Sequence, residues 1–346
     1  MKVHLANKVN MKAKIIILLY FGFQLSYMQA QNIEISNSDS VVSSALLLSE
    51  KALYEAQFSE AREIVRLSPF KKLKDFNNSH EILLTIQDIR IESFMNTVYL
   101  EESNHKANFE RLRKLLPTAQ KIDNTMVRGK YFLALSNSFR AIGQSDSADI
   151  YQEKSLRLFE EIKDFEKVAE IRANDISRKH NQLLKEGKKE EILALIPMYK
   201  EEIEFSSNYS KYLLSYNTRH LAQIHCRQTL DYNEALRLFN ESLNLRLEIG
   251  FKPFLPASYS SLGDVYMKIG EYATAIEMYL KSSELAQQIG FVRYQSYPIL
   301  QIGDIYVILG QPEKASEYYL QALKIASENK YNPGVDHANE KINKND

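Results

Sequence analysis

The chain of 346 residues contains no tryptophan and one cysteine, Cys226. A single thiol closes no disulfide within the chain and builds no zinc site by itself. Catalytic spacings are missing as well. There is no HExxH pair, no paired-cysteine pattern, no GxxxxGK loop and no GxSxG elbow. Neither sign of charge is in excess, with 44 Lys and Arg against 44 Asp and Glu. Residues 1–30 hold Lys2, Lys8, Lys12 and Lys14 and no acid, so the remainder carries 40 basic and 44 acidic residues, a net of −4. That balance argues against a nucleic-acid surface, which is basic overall or along a stripe. The apolar run IIILLYFGF, from Ile15 to Phe23, is about half the length of a membrane span.

What is present is a repeat. The block YSSLGDVYMKIGEYATAIEMYLKSSELAQQIGF, from Tyr259 to Phe291, returns as ILQIGDIYVILGQPEKASEYYLQALKIASENKY, from Ile299 to Tyr331. Gly263 pairs with Gly303, Asp264 with Asp304, Tyr266 with Tyr306, Gly270 with Gly310 and Tyr279 with Tyr319, each forty residues apart. Recurrence at a fixed spacing is the mark of stacked helical repeats. Apolar residues three and four apart put a stripe on one side of each segment. Gly263 and Gly303 fall inside the first helix of each copy, where glycine costs about 1 kcal/mol against alanine. That cost predicts a second helix passing too close for a side chain, with Ala275 and Ala315 as its small contact residues. Gly270 and Gly310 end the first helix at positions suited to positive φ. The 21 tyrosines are expected mainly to fill the space between helices.

These residues resemble the tetratricopeptide repeat. Tyr259, Leu262, Gly263, Tyr266, Gly270, Ala275 and Tyr279 fit one copy of its pattern, and Gly303, Tyr306, Gly310, Ala315, Tyr319 and Ala322 the next. The resemblance implies an all-α, right-handed alpha solenoid of helix-turn-helix units, with six or seven pairs from about residue 44 to 330. Its period of about 40 residues exceeds the family's usual 34. A further copy resumes at Tyr131, with Phe132, Leu135, Phe139, Gly143 and Ala148 in register and Ser136 replacing the packing glycine. Another spans 217–250, with Ala222, Tyr232, Ala235 and Phe239 in register, Gln223 at the glycine and Cys226 at the core-facing Tyr266 position. Between them, about 168–207 is irregular: Gly187 marks a turn and Pro197 begins or kinks a helix.

Before residue 120 the pattern is degenerate. Ala52, Ala56, Phe58, Ala61 and Val65 follow it loosely up to Pro69, and 81–116 reads as a helix pair of uncertain register. The division expected is a signal peptide at 1–30, a loose polar linker at 31–43, degenerate helical repeats at 44–120, the repeat solenoid at 121–330 and a polar tail or capping helix at 331–346. The basic start, short apolar run and Met28-Gln29-Ala30 match a secretory leader, with Met11 as an alternative start. Export to the periplasm or cell envelope is therefore expected, and a cytoplasmic location if that segment is not cleaved. The prolines at 251–256 and 291–298, and Pro333-Gly334, read as helix stops. Phe251, Phe254 and Phe291 read as locally packed.

His220, His225 and Cys226 resemble a metal cluster only on paper, since histidines five apart lie on different sides of a helix. No cofactor or metal is expected, and the chain reads as non-enzymatic. The resemblance implies a concave groove lined by first helices that takes a protein or peptide partner. It selects Asn217, His220, Arg227 and Gln228 from one copy, Ser260, Asp264, Met267 and Lys268 from the next, and Tyr297, Leu300, Asp304 and Val307 from the last. Asp264 and Asp304, one layer apart, favour a basic or amide-rich partner. The Lys and Asn set with which some members clamp a C-terminal carboxylate is missing; Leu221, Ser261 and Gln301 occupy one of its positions. The main reading is an exported binding scaffold. The rivals are the sensory input module of a signalling regulator, similar to the extracytoplasmic repeat regions of bacterial signalling proteins, and an enzyme with a spatially assembled site.

Overall fold

The computed structural model describes residues 38–66, 70–73, 75–99 and 104–345. The segment expected to be a leader, most of the expected linker, and Pro69 lie outside them. The described chain is helical throughout, without strands. In order it forms α1 (Ser38–Tyr54), α2 (Phe58–Ile64), α3 (Asn78–Tyr99), α4 (His105–Ala119), α5 (Thr125–Ala141), α6 (Ser145–Glu161), α7 (Phe165–Glu186) and α8 (Lys189–Leu193). It continues with α9 (Ile196–Ser207), α10 (Lys211–Ile224), α11 (Tyr232–Glu248), α12 (Leu255–Lys268), α13 (Tyr272–Ile289), α14 (Val292–Ile308), α15 (Pro312–Glu328) and α16 (Asn332–Asn345). α5 with α6, α10 with α11, α12 with α13, and α14 with α15 are helix hairpins, and neighbouring hairpins stack. This is an all-α solenoid of repeat pairs. The first described helix begins ahead of residue 44, and the C-terminal segment is the helix α16.

Local chemistry sets the boundaries. Asn104, Asn124, Asp164 and Asp231 each accept a hydrogen bond from a first-turn backbone N–H, at 3.1, 3.0, 3.2 and 3.1 Å, which satisfies a donor the helix cannot. The prolines expected as stops mostly start helices instead. Pro256 occupies the first turn of α12, Pro333 lies in the opening turn of α16, and Pro298 is inside α14, while Pro197, expected to begin or kink a helix, begins α9. A first-turn proline loses no helical hydrogen bond, because its missing N–H would have had no partner there.

Within each hairpin one contact recurs. A Cβ added at Gly263 would lie 2.7 Å from the Tyr279 ring, and Gly303 meets the Tyr319 ring in the same way. The close neighbour is therefore the tyrosine of the second helix and not the alanine, although Ala275 and Ala315 are fully buried beside it. Tyr279 Oη donates to Asp264 Oδ1 at 2.8 Å and Tyr319 Oη to Asp304 Oδ1 at 2.7 Å. Where glycine is replaced, Ser136 Oγ donates to the Ala148 carbonyl at 2.7 Å. The turns keep the register too. Gly270 and Gly310 have φ of +83° and +69°, and Leu230, forty residues before Gly270, is held at +59° without glycine's freedom.

The first helices do not stay at the end of the stack. Val42, Leu53, Phe58, Leu84, Ile91 and Val98 share one core with Ala286 and Phe291. Phe251 packs on Tyr54 and Tyr212, with ring centroids 5.0 Å away in each case, and Phe254 lies 5.7 Å from Phe94. The Lys252 N–H donates to the Tyr54 carbonyl at 2.8 Å, and the Lys252 side chain pairs with Glu55. A Cβ at Gly290 would meet the Tyr99 ring at 2.8 Å. Phe251, Phe254 and Phe291 are thus not only locally packed, as expected, but form the seat for α1–α3. Their place in short connections between hairpins hid this, because nothing local marks a contact with the far end of the chain.

Between α7, α9 and α10 the core is polar. His180 Nδ1 lies 3.2 Å from Tyr199 Oη, Tyr216 Oη donates to Ser177 Oγ at 2.8 Å, and the Tyr199 and His220 rings stack at 5.9 Å. Burial keeps both imidazoles neutral, with His180 pushed down to about 4 and His220 held well below the usual range.

Three outcomes follow for unfolding measurements. Gly263→Ala lowers stability by about 1–2 kcal/mol, because overpacking against Tyr279 exceeds the gain in helix propensity. Leu230→Gly raises it by about 0.5–1 kcal/mol, since the side chain is exposed and a left-handed non-glycine residue is strained. The unfolded chain binds protons at histidine from about pH 6.5 downward, while folded His180 resists until about 4. Stability at neutral pH is therefore lost as pH falls through that interval. In a His180→Gln variant that loss is smaller in denaturant titrations at pH 7 and pH 5.

Candidate functional site

The expected groove positions lie on α10, α12 and α14, the first helices of successive hairpins. α10 ends in a π turn, His225–Thr229, before Leu230. Such turns widen a helix locally and occur often at functional sites. Here the widening carries Arg227 outward and leaves Cys226 buried.

The candidates separate by exposure. Arg227, Lys268 and Val307 are exposed, and Gln228 and Met267 are half-buried. Asn217, His220, Ser260 and Leu300 are buried. Asp264, Tyr297 and Asp304 are half-buried and committed to the scaffold. Asp264 Oδ1 accepts from Tyr279 and, at 3.5 Å, from Tyr297. Asp304 accepts from Tyr319 and is paired with Lys341 of α16, whose Nζ lies 2.8 and 2.7 Å from its two oxygens. Burial raises the Asp264 carboxyl above the usual range, opposed by the tyrosine hydrogen bonds. The two carboxylates occupy equivalent places one layer apart, but their oxygens serve the hairpins.

No metal site assembles from these residues. Among the described residues no group of three or more His, Cys, Asp and Glu side chains could hold an ion. His225 Nδ1 lies 3.2 Å from Thr229 Oγ1 within its own turn, and burial pushes the Cys226 thiol up, away from the reactive thiolate. No helix among the described residues is long and apolar enough to cross a membrane.

Asn217 and His220 were expected at the groove, but Thr218, Arg219 and Arg246 went unnoticed in the sequence. Asn217 Oδ1, Thr218 Oγ1, Arg219 Nε and His220 Nδ1 follow one another on α10, all buried and without a hydrogen-bond partner. Arg246 of α11 is 3% exposed and its Nε also lacks an acceptor. One signal was legible. Arg246 continues the apolar stripe Ala235, Leu238, Phe239 and Leu243, and forty and eighty residues on its register holds Ala286 and Ala326.

Comparison with known proteins bears on identity. The tetratricopeptide repeat model matches residues 212–288 and 254–328. No curated protein matches the sequence. Among solved structures, a signal-transduction ATPase of the STAND class with a tetratricopeptide repeat sensor, from Pyrococcus horikoshii, superposes with a TM-score of 0.62 at 16% identity. The match covers 91% of this chain and 45% of that one, so this chain spans less than half of that protein. NprR in complex with its cognate peptide NprX gives a TM-score of 0.53 at 12% identity, covering 94% of this chain and 90% of that one. The Cut9–Hcn1 heterotetramer of APC/C gives 0.53 at 14%, covering 92% and 58%.

These findings correct the expectation of an exported periplasmic or envelope scaffold. The similar structures are described as a signal-transduction ATPase with a repeat sensor, NprR with its cognate peptide and the Cut9–Hcn1 heterotetramer of APC/C, and none is described as an envelope protein. The residues that suggested export, 1–30, lie outside the described chain, and a short apolar run behind lysines is shared by leaders and amphiphilic segments alike. The extracytoplasmic part of the resemblance goes with it. What stands is an all-α repeat scaffold. The chain thus carries tetratricopeptide repeats over residues 212–328, within a solenoid whose hairpins stack along the described residues.

Proposed function

We propose that the chain is the ligand-sensing module of a signalling regulator and takes a peptide or an extended protein segment along the first helices of its repeats. The observation that carries this reading is the run of buried, unpartnered polar atoms on α10, from Asn217 to His220. A scaffold that needed only to stack would fill those positions with apolar side chains, because a buried polar group without a partner costs about 1–3 kcal/mol. Asn217 and His220, three apart, share one side of α10, and a peptide that enters this layer supplies their missing donors and acceptors. The similarity to a repeat sensor and to a peptide-bound structure supports the same reading. A cytoplasmic location, the alternative raised by the sequence, accords with it. Arg227, Gln228, Met267 and Lys268 form the accessible margin of this face.

Peptide display on the immobilised full-length chain tests the proposal. Selected peptides should bind the free protein in solution. The double variant Arg227→Glu, Lys268→Glu should weaken them by about tenfold, as expected for two charges at the rim of a site, with an unchanged unfolding midpoint because both side chains are exposed. Absence of any enriched peptide, or undiminished binding by the double variant, would refute this location.

A further inference from the structure

The two ends of the described stack are finished differently. α16 turns Asp336, Asn339, Glu340, Asn343 and Lys344 to solvent, the polar outer face that keeps the last unit of a solenoid soluble. α1 lacks such a face. Its buried side, Val42, Ala45, Ala52 and Leu53, packs into the core that seats it. Its outward stripe, spaced three and four apart, reads Ser40, Ser43, Ser44, Leu47, Leu48 and Lys51. Leu47 is 72% exposed, the most exposed large apolar side chain of the described residues. The stripe holds no acid, and Lys51 makes no ion pair.

A second uncovered patch lies where the aromatic seat of α1–α3 runs on past them. Tyr212, Phe251, Phe254 and Phe291 form that seat, with ring centroids 5.0, 5.7 and 6.2 Å apart in turn. Tyr209, three residues before Tyr212, extends it. Its ring is 5.0 Å from Phe205 and 5.6 Å from Phe165, and those two are 6.5 Å apart. The Arg172 guanidinium, paired with Glu201 and Glu202, lies over Phe205 at 4.8 Å. Among the described residues nothing covers the other two rings: Tyr209 is 41% and Phe165 38% exposed. Glu161, Glu166 and Glu204, in the same two segments, are exposed and make no ion pair, against one exposed lysine, Lys163. Contiguous apolar exposure with a polar margin marks an interaction surface.

We propose that a second copy of the chain covers both patches in a two-fold dimer, α1 of each protomer lying on the Phe165, Phe205 and Tyr209 rings of the other. The seat shows what this edge accepts, since α1–α3 already rest on the same aromatic run, with Lys252 paired to Glu55 at its margin. The charges are complementary, Lys51 without acids on one patch and unpaired glutamates beside the other. Serines on the α1 stripe permit the close approach of another element, because packing distance follows the side chains at the contact. Both halves also lie near each other on one molecule. Leu47 is about 10 Å along α1 from Tyr54, whose ring is 6.5 Å from Tyr212. A two-fold axis between such patches buries each of them twice. That doubling matters, because a stable interface needs about 1,200–2,000 Å² in total. The groove helices take no part, so the dimer stands apart from the peptide-sensing reading.

Sedimentation of the full chain over a concentration series tests this. The expected result is a monomer–dimer equilibrium without larger species, since a closed two-fold contact stops at two. Leu47→Ser, and separately the double variant Phe165→Ser, Tyr209→Ser, should each weaken the dimer by at least about tenfold, as for apolar anchors at an interface. Mixing the two variants should restore association. Their heterodimer keeps one of the two contacts intact, whereas the dimer of either variant alone keeps none, and this rescue also shows that both variants fold. A monomer at every concentration would overturn the proposal. So would a dimer that either variant leaves unchanged, or variants whose mixture does not associate. Larger species growing with concentration would mean head-to-tail contact and overturn the two-fold arrangement. A monomer that dimerises only after removal of residues 1–37 would give the α1 face to that segment, and would overturn it as well.

Discussion

The repeats depend on a tyrosine ring resting on a glycine. At Gly263 and Gly303 the absent side chain lets the ring of Tyr279 or Tyr319 reach the backbone of the partner helix, and the phenol then finds the aspartate next to that glycine. Ring, glycine and carboxylate fix how closely the helices approach, and a hydroxyl with a partner removes the penalty of burying it. The hairpins α12–α13 and α14–α15 share this arrangement, ring against glycine and phenol on carboxylate. The hairpins without it hold their helices by other bonds, such as Ser136 to the Ala148 carbonyl or Ser242 to the Ser215 carbonyl at 2.7 Å.

Much of this was legible in the sequence. The forty-residue recurrence located the hairpins from 217 onward, and Gly270 and Gly310 announced their turns because few other residues adopt positive φ comfortably. The close approach at Gly263 was foreseen, but the alanine was credited with what the tyrosine does: a small residue suggests proximity, whereas a planar ring achieves it. Prolines misled for a related reason, since a residue that cannot continue a helix can still begin one. The role of Asp264 and Asp304 was obscured by their surface-like spacing. A carboxylate on a helix is usually solvated, and only the tyrosine fifteen residues on shows otherwise. Distant contacts left no local trace, so the seat for α1–α3 could not be read in advance.

The polar character of the middle of the chain contrasts with the apolar regularity after it. α12 to α15 are built of interchangeable parts, with alanines and tyrosines at matching positions. α7, α9 and α10 bury histidines, serines and an asparagine instead, and α10 ends in a π turn. A stack of identical units offers the same surface at each layer and cannot single out one ligand. Departures from the repeat are what give one layer its own chemistry. Here they concentrate where the unpaired polar atoms are found.

The return of α1–α3 to the connections at 251–254 and 289–294 changes the kind of object the solenoid is. An open stack is quasi-one-dimensional: each hairpin leans only on its neighbours, and the ends can peel away singly. The contact between Lys252 and Glu55 spans 197 positions in sequence and joins two parts of the stack that nearest-neighbour packing would keep apart. Peeling from the first helix must then break a contact with the far side as well, so the terminal unit shares in the stability of the middle. In folding, the neighbouring hairpins can assemble early through local contacts, while this junction waits on the closure of a long loop. The molecule behaves as a clasped band, whose fastening is made last and whose loosening is felt all the way round.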